Sequence, residues 1–168
     1  VAFFPTLAHG GCVVLMDKFN VERYLELAER HRATHTMLVP VQYQRLMTHP
    51  CFGDHDLGSF QMKFCTSAPF AAALKADVLA RWPGGLVEYY GMTEGGGTCA
   101  LLAHEHLDKL HTVGKPAPGH IAKVIDEDGN VPDALRRRCQ PESAGHRGAG
   151  GAAWRVARER GDAGARRE

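Results

Sequence analysis

Long hydrophobic runs are absent from this chain of 168 residues, which limits how it could meet a membrane. The apolar beginning, residues 1–16, is interrupted by Pro5, His9, Gly10 and Gly11 and has no basic residues before it, so we expect no signal peptide. No apolar stretch reaches the roughly 20 residues that a transmembrane helix needs. The sequence therefore predicts a cytoplasmic protein without a transmembrane segment.

Cysteine pairs are absent as well. The five cysteines are scattered, and none forms a Cys-x-x-Cys pair, which favours reduced thiols in a cytosol. Cys65 lies inside an apolar stretch, so we expect a buried, inert thiol rather than a nucleophile. Ser67 lacks the Gly-x-Ser-x-Gly elbow, which argues against an acyl-enzyme hydrolase.

Histidines cluster once in the chain. His104, His106 and His111 stand near Glu105 and Asp108, which raises the question of a metal site. The spacing matches no common metal-binding pattern. A solvated helix face or loop is the favoured interpretation.

Charge is unevenly divided along the chain, although the total is only +1. Residues 1–132 carry 11 basic and 14 acidic side chains, whereas residues 133–168 carry nine and five, and every base there is arginine. This tail is rich in alanine and glycine and has little to bury. We therefore predict that residues 131–168 are a frameshifted or disordered tail. The alternative is a genuine basic tail that touches nucleic acid or anionic lipid; it lacks the interleaved aromatics of a nucleic-acid surface, so no nucleic-acid partner is expected.

Secondary-structure patterns in residues 1–130 predict an α/β domain. Strands and helices alternate, which is typical of a parallel sheet with flanking helices joined by crossovers. A later segment, residues 121–125 with an Asp128-Gly129 turn, predicts a β-hairpin. The predicted strands are residues 11–17, 36–39, 61–66 and 86–90; the predicted helices are residues 20–32, 41–48 and 70–82, and residues 53–59 are predicted as a polar loop.

Ligands of such sheets bind at the carboxyl ends of the strands. Val39-Pro40, Thr66-Ser67 and Tyr90-Gly91 each stand where a predicted strand ends. We therefore expect these three pairs to face one crevice.

The most informative stretch begins at Val87 and reads Val-Glu-Tyr-Tyr-Gly-Met-Thr-Glu-Gly-Gly-Gly. Glycines let the backbone approach a ligand closely and leave N–H groups free to point at anionic oxygens. A hydroxyl beside a carboxylate offers the oxygen ligands that a phosphate-bound Mg²⁺ takes, and the preceding aromatic ring can face a flat base. The pattern favours a nucleotide site; the simpler alternative is a strand ending in a polar, glycine-rich turn.

Residues 90–94, Tyr-Gly-Met-Thr-Glu, resemble the Tyr-Gly-x-Thr-Glu signature of the adenylate-forming enzymes, which include acyl-CoA synthetases, luciferases and peptide-synthetase adenylation domains. Three further segments resemble that family in the same order: the turn at residues 66–69, the Val-Gly-Lys-Pro run at residues 113–116 with Pro118-Gly119, and the Val-Ile-Asp-Glu-Asp-Gly run at residues 124–129. The resemblance covers residues 1–130 and implies part of an AMP-binding domain of the acyl-CoA synthetase type.

The resemblance also implies a reaction and roles for single residues. ATP and a carboxylic acid would give an acyl-adenylate, and coenzyme A would then take the acyl group, with Mg²⁺ on the phosphates. Thr93 and Glu94 would be the catalytic pair, with Glu94 as the metal ligand and Thr93 on phosphate. The implied nucleotide-binding residues are Ser67, Ala68, Pro69, Tyr90, Gly91, Met92 and Thr93, and the implied walls of the acyl pocket are Val39, Pro40 and Gln44.

Several parts of the implied machinery are missing from the sequence. A Ser/Thr/Gly-rich phosphate loop with its lysine, a Tyr-Arg-Thr-Gly-Asp segment and a C-terminal catalytic lysine do not occur. We therefore expect a fragment of a ligase, the central part of its N-terminal domain, that is inactive alone. The alternative is a non-enzymatic nucleotide-binding or interaction module. The acid and the oligomeric state stay open.

Overall fold

The computed structural model describes residues 3–92, 96–120, 122–123, 130 and 154–155. The chain divides into two compact units, Val1–Ala117 and Pro118–Glu168. Within the first unit the helices are α1 (Phe3–Ala8), α2 (Val21–Arg30), α3 (Pro40–Met47) and α4 (Ala72–Arg81), with 3₁₀ turns at Pro50–Asp54 and Leu107–Lys109; the strands are β1 (His35–Leu38), β2 (Met62–Cys65), β3 (Gly85–Met92), β4 (Gly96–Leu102) and β5 (Lys115–Pro116).

The sheet of the first unit is mixed, with strand order β1-β2-β3-β4-β5. Strands β1, β2 and β3 are parallel neighbours, and helices α3 and α4 join them in sequence. This confirms the predicted α/β fold with flanking helices. Strand β4 then turns back antiparallel to β3, and β5 is antiparallel to β4. The sequence analysis did not predict these last two strands.

Helix α2 shows why the predicted elements form where they do. The Asn20 side chain caps its first turn, accepting a hydrogen bond of 2.8 Å from the backbone N–H of Arg23. Leu25 and Ala28 lie on its buried side, so the helix turns one apolar stripe toward the core. The cap and the stripe together fix both the start and the orientation of the helix.

Aromatic rings form the centre of the core. Trp82, which follows α4, is almost fully buried and is surrounded by Tyr24, Tyr43, Phe52 and Phe60, with ring centroids 5.1–6.1 Å away. The Tyr43 hydroxyl donates a 2.9 Å hydrogen bond to a backbone carbonyl of β2. Burial raises the pKa of Tyr43 far above its usual range. The rings and this bond tie α3, α4 and β2 together.

The predicted first strand, residues 11–17, is wrong. These residues have no strand structure, and they carry no ladder hydrogen bonds to the sheet. Val14 is 42% exposed and Leu15 72% exposed. An apolar run becomes a strand only where a partner strand and a core stand beside it. In the described part of the chain, no strand pairs with residues 11–17 and none of them belongs to the core cluster. The predicted polar loop at residues 53–59 is also partly regular, because its start belongs to the 3₁₀ turn Pro50–Asp54.

The second unit has one described pairing. Strand β6 (Ala122–Lys123) lies parallel to β7 (Trp154–Arg155). Strand β6 belongs to the hairpin predicted at residues 121–125; the rest of that hairpin, with its Asp128-Gly129 turn, lies outside the described residues. The predicted tail, residues 131–168, lies outside them too, apart from β7. Across the described ranges, every helix is too short or too polar to cross a bilayer.

Candidate active site

The ends of three parallel strands meet at one edge of the sheet. The register pairs Leu38 with Cys65 and Cys65 with Glu88. The next residues along β1, β2 and β3 therefore form a row at the carboxyl edge, about 4.8 Å apart from strand to strand. This row and the one beyond it hold Val39-Pro40, Thr66-Ser67 and Tyr90, and Gly91 lies one residue further along β3.

The turn after β2 is held in an unusual backbone conformation. Ser67 has φ +78°, in the left-handed region that favours glycine. Below the turn, the buried Phe70 ring stacks on Tyr43 at 5.3 Å. Ser67, Ala68 and Pro69 are all exposed above it. The turn therefore places three exposed residues at the edge of the sheet, next to the buried Phe70.

Opposite the Tyr-Gly signature of β3, strand β4 carries a bulge at Thr98. Tyr90 pairs with Cys99, but Gly91 pairs with Gly97, so the register shifts between Tyr90 and Gly91. Bulges redirect side chains and occur often beside active sites. Tyr90 and Met92 are both exposed beyond the core. The end of β3 is thus exposed at the same edge of the sheet as the Ser67 turn, opposite the bulge in β4.

The two residues with the strongest implied roles lie outside the described residues. In the sequence, Thr93 and Glu94 come between β3, which ends at Met92, and β4, which begins at Gly96. Their neighbours in the signature are therefore placed at the carboxyl edge, and their own positions stay a prediction.

Two of the three implied acyl-pocket residues lie together at the edge of the sheet. Val39 is half-buried and precedes α3, and its N–H donates a 3.0 Å hydrogen bond to the Gln42 side chain. Pro40 is buried at the first position of α3, where a missing N–H costs nothing. Gln44 lies one turn further along the helix and is exposed. Val39 and Pro40 thus stand at the sheet edge, and Gln44 stands away from it.

A buried ion pair supports the end of β3, and the sequence analysis missed it. Lys75 of α4 forms an ion pair with Glu88 of β3, and the two residues are only 1% and 3% exposed. The same ammonium donates hydrogen bonds to the carbonyls of Leu110 (2.8 Å) and Thr112 (3.0 Å). The sequence contains a signal for this pair, because Lys75 and Glu88 each stand among apolar residues on the buried side of their helix or strand.

A second buried lysine was missed for the same reason. Lys63 of β2 donates hydrogen bonds to the carbonyls of Trp82, Pro83 and Gly84 at 2.6–3.0 Å. Burial lowers the pKa of Lys63 to about 8. The ammonium thus provides hydrogen bonds to the carbonyls that follow the end of α4, and it holds the segment that leads into β3.

The glycine of the Val-Gly-Lys-Pro segment is required by the backbone geometry. Gly114 has φ +83°, and a Cβ atom there would overlap the carbonyl group of Ala100 and approach the Leu101 nitrogen to 2.5 Å. Only glycine lets this backbone cross so closely to β4. The crossing delivers Lys115 and Pro116 to the sheet as β5.

The remaining candidates have structural roles. Cys65 is fully buried, as predicted, and burial raises the pKa of its thiol to about 12. His104 lies in a turn with Nδ1 3.1 Å from the Leu86 carbonyl oxygen. In the described ranges, no group of three histidine, cysteine or acidic residues could hold a metal ion.

Comparison with known proteins decides the family. The model of the AMP-binding enzyme family matches residues 1–137 of the chain. The chain belongs to the AMP-binding enzyme family. This confirms the resemblance carried by residues 90–94 and the neighbouring motifs.

Relatives of this AMP-binding chain include CoA ligases for different acids. It is 31% identical to a 4-coumarate–CoA ligase-like protein of Oryza sativa subsp. japonica, over 84% of this chain and 28% of the relative. It is 30% identical to a medium/long-chain-fatty-acid–CoA ligase of Mycobacterium tuberculosis, over 76% of this chain and 23% of the relative. The chain thus spans about a quarter of the curated relatives it matches.

The solved structures agree with the fold. An amide bond synthetase from Marinactinospora thermotolerans superposes with a TM-score of 0.69 at 33% identity, over 76% of this chain and 26% of that one.

Proposed function

We propose that the chain is part of an ATP-dependent carboxylic acid–CoA ligase and carries one wall of its nucleotide site. The observation that carries the proposal is the position of the Tyr-Gly signature at the carboxyl edge of three parallel strands, beside the Ser67 turn. Open α/β sheets bind their ligands at this edge. Membership of the AMP-binding family supports ATP as that ligand.

The proposed chemistry has two displacement steps. A carboxylate oxygen of the acid attacks the α-phosphorus of ATP, and pyrophosphate leaves. The thiolate of coenzyme A then attacks the acyl carbon, and AMP leaves. Both steps depend on placing the reactants and stabilising charge, rather than on a covalent enzyme intermediate.

The residues at the sheet edge suit this work. The exposed Tyr90 ring offers a flat face to adenine. The Ser67 turn and Gly91 are exposed, and Gly91 has no side chain, so both would let the backbone approach the nucleotide. In the following loop, the Thr93 hydroxyl would contact phosphate. The Glu94 carboxylate is the hard oxygen ligand that a phosphate-bound Mg²⁺ requires, and the ion would neutralise the triphosphate.

The proposal extends to the behaviour and location of the chain. The phosphate loop and catalytic lysine of the implied machinery are not in the sequence, so we expect nucleotide binding without turnover by the chain alone. The described cysteines, Cys12, Cys51, Cys65 and Cys99, are all free thiols. Free thiols support a cytoplasmic enzyme that works on small molecules.

Titration with Mg-ATP tests the nucleotide site. The chain should bind Mg-ATP saturably, and Thr93→Ala and Glu94→Gln should each weaken binding about tenfold, the loss typical of one charge-assisted contact. Thr48→Ala and Glu105→Gln remove the same groups from exposed positions elsewhere and should leave affinity unchanged. Equal affinity for all four variants would remove the proposed site.

ATP–pyrophosphate exchange tests the reaction. The chain replaces the matching quarter of a CoA ligase relative, and the hybrid is assayed over a panel of fatty and aromatic acids. Exchange that depends on Glu94 supports the ligase. Saturable Mg-ATP binding without exchange for any acid would favour the non-enzymatic nucleotide-binding module instead.

A further inference from the structure

A cleft of about 450 Å³ lies near the amino edge of the sheet. Its walls come from the connections that lead into β2 and β3, within residues 52–58 and 81–83. Strands β1, β2 and β3 run in one direction, so this edge is opposite the carboxyl edge that holds the Ser67 turn and Tyr90. Pockets for small molecules have volumes of roughly 300–1,000 Å³. The cleft is therefore large enough for a ligand, and it is separate from the proposed nucleotide site.

Three apolar residues, Phe52, Leu57 and Pro83, line part of the cleft. Phe52 and Leu57 belong to the core cluster, so packing fixes their positions. The carbonyl of Pro83 accepts a 2.6 Å hydrogen bond from the Lys63 ammonium, which holds the connection into β3. This apolar surface therefore exists before any ligand arrives, and it can cover an apolar group of the ligand.

Arg81 brings hydrogen-bond donors for an anion to the cleft. Its guanidinium carbon lies 5.2 Å from the centre of the Phe52 ring. The Nη1 group donates hydrogen bonds of 2.8 Å to the Met47 carbonyl and 3.1 Å to the Asp77 carboxylate. In the described part of the chain, Nε and Nη2 of Arg81 donate to no residue. A guanidinium that is already oriented can bind a carboxylate through such a pair of N–H groups at a low cost in entropy.

Asp56 brings the opposite charge to the same cleft. Its backbone N–H donates a 2.9 Å hydrogen bond to Glu29 of α2, whose second oxygen lies 3.0 Å from Nδ1 of His55. Oδ1 of Asp56 accepts a 2.8 Å hydrogen bond from the Gly58 N–H. Asp56 forms no ion pair with any residue that the structure describes. The cleft thus contains a carboxylate without a cationic partner, on a wall that Glu29 anchors to α2.

We propose that this cleft binds an apolar α-amino acid as its zwitterion. The carboxylate of the ligand lies on the free N–H groups of Arg81, its ammonium lies beside Asp56, and its side chain contacts the apolar surface. A carboxylate without an ammonium would be repelled by Asp56, and an amine without a carboxylate would be repelled by Arg81. Only a ligand with both charges satisfies both walls. This ligand takes no part in the proposed reaction, because it binds at the opposite edge of the sheet.

Ligand-observed NMR titration of the whole chain at pH 8, without ATP, tests the cleft with four matched compounds. Leucine carries both charges and an apolar side chain. The compound 4-methylpentanoate lacks the ammonium, 3-methylbutylamine lacks the carboxylate, and glycine lacks the side chain. We expect leucine to bind saturably and about tenfold more tightly than each of the other three, because each of them has lost one charge-assisted contact or the apolar contact.

Variants locate the binding, and each predicts a change of preference. Asp56→Asn keeps an oxygen that accepts the Gly58 N–H, and it should remove the preference for leucine over 4-methylpentanoate. Arg81→Met should remove the preference for leucine over 3-methylbutylamine. The controls Asp54→Asn and Arg45→Met change an exposed acid and an exposed arginine outside the cleft, and they should leave all four affinities unchanged. Circular dichroism checks that each variant is folded.

Three results would overturn the inference: no saturable binding of leucine, equal affinity of the wild type for leucine and 4-methylpentanoate, or an unchanged preference in folded Asp56→Asn. Asp56 is exposed, so its substitution decides the question even where Arg81→Met does not fold. Since ATP is absent from this titration, the two proposals fail separately. Failure of the Mg-ATP titration would leave the leucine site in place, and failure of leucine to bind would leave the proposed ligase in place.

Discussion

The ammonium of Lys75 and the carboxylate of Glu88 meet inside the protein, where almost no water reaches either group. Removing one partner leaves an unpaired buried charge, so Lys75→Met should lower the free energy of unfolding by about 3–5 kcal/mol. Glu88→Gln should cost less, because the amide still accepts a hydrogen bond. Urea denaturation measures both.

The double variant Lys75→Met/Glu88→Leu separates charge from packing. It removes both charges, and its stability should return toward wild type. Lys109→Met, which removes an exposed lysine paired with Asp108, should change stability by less than about 0.5 kcal/mol. If the double variant is as unstable as Lys75→Met, most of the lost stability comes from the two hydrogen bonds of Lys75 to backbone carbonyls, and not from the unpaired charge of Glu88.

Ser67 holds a conformation that suits glycine better. Ser67→Gly should stabilise the fold by about 1 kcal/mol by relieving the positive φ. Ala68→Gly, in the same turn but with an ordinary φ, should destabilise it through the added freedom of the unfolded chain. Thermal melts of the two variants should therefore shift in opposite directions. A Ser67→Gly variant that melts below wild type would mean that the serine side chain holds the turn.

Gly114 has both a positive φ and a crowded surrounding. Gly114→Ala should lower the free energy of unfolding by about 3 kcal/mol, because its methyl group would overlap the backbone of β4. Gly10 is the matched control: its φ is +74° and nothing lies within 4 Å of an added Cβ. Gly10→Ala should cost only about 1 kcal/mol, the strain of φ alone. Equal losses of stability in the two variants would show that the cost of Gly114→Ala comes from its positive φ and not from the overlap with β4.

Burial should protect the Cys65 thiol from reagents. At pH 8 a thiol reagent should label the exposed Cys12 at once. Cys65 should react only as fast as the chain opens, because the thiol is buried and protonated. Labelling followed by peptide mass analysis distinguishes the two. Rapid labelling of Cys65 in a folded sample would contradict the buried position.

The same shift predicts a pH dependence. The pKa of Cys65 rises from 9.0 to about 12 on folding, so between these values the unfolded chain loses a proton that the folded chain keeps. Stability is therefore fully present below pH 9 and falls as pH rises toward 12, by at most about 1.4 kcal/mol per pH unit from this thiol. Cys65→Ala should remove that part of the slope in urea titrations, and Cys12→Ala should not.

The sequence predicted the elements whose signals are local. The Asn20 cap and apolar stripe of α2, the proline at the start of α3 and the β-prone run of β3 each form where their own residues favour it. The run at residues 11–17 has the same local signal as a buried strand. It fails because pairing depends on neighbours that a local pattern does not contain.

The sequence predicted which strand ends form the site, but it did not predict the backbone conformations and contacts there. Alternating elements imply that Val39, Thr66 and Tyr90 reach one edge. The bulge of β4 opposite Gly91, the hydrogen bonds of Lys63 to backbone carbonyls and the ion pair of Lys75 all arise from contacts between distant segments.

The antiparallel return of β4 along β3 gives the signature loop an early place in folding. Three residues separate β3 from β4 in the sequence, so these two strands can pair within microseconds. Joining β1 and β2 to β3 requires crossovers through α3 and α4, and such long closures are slower. We expect the β3–β4 hairpin to form first and template the parallel strands. During synthesis, β3 and β4 could therefore pair as soon as the chain up to about residue 102 has left the ribosome.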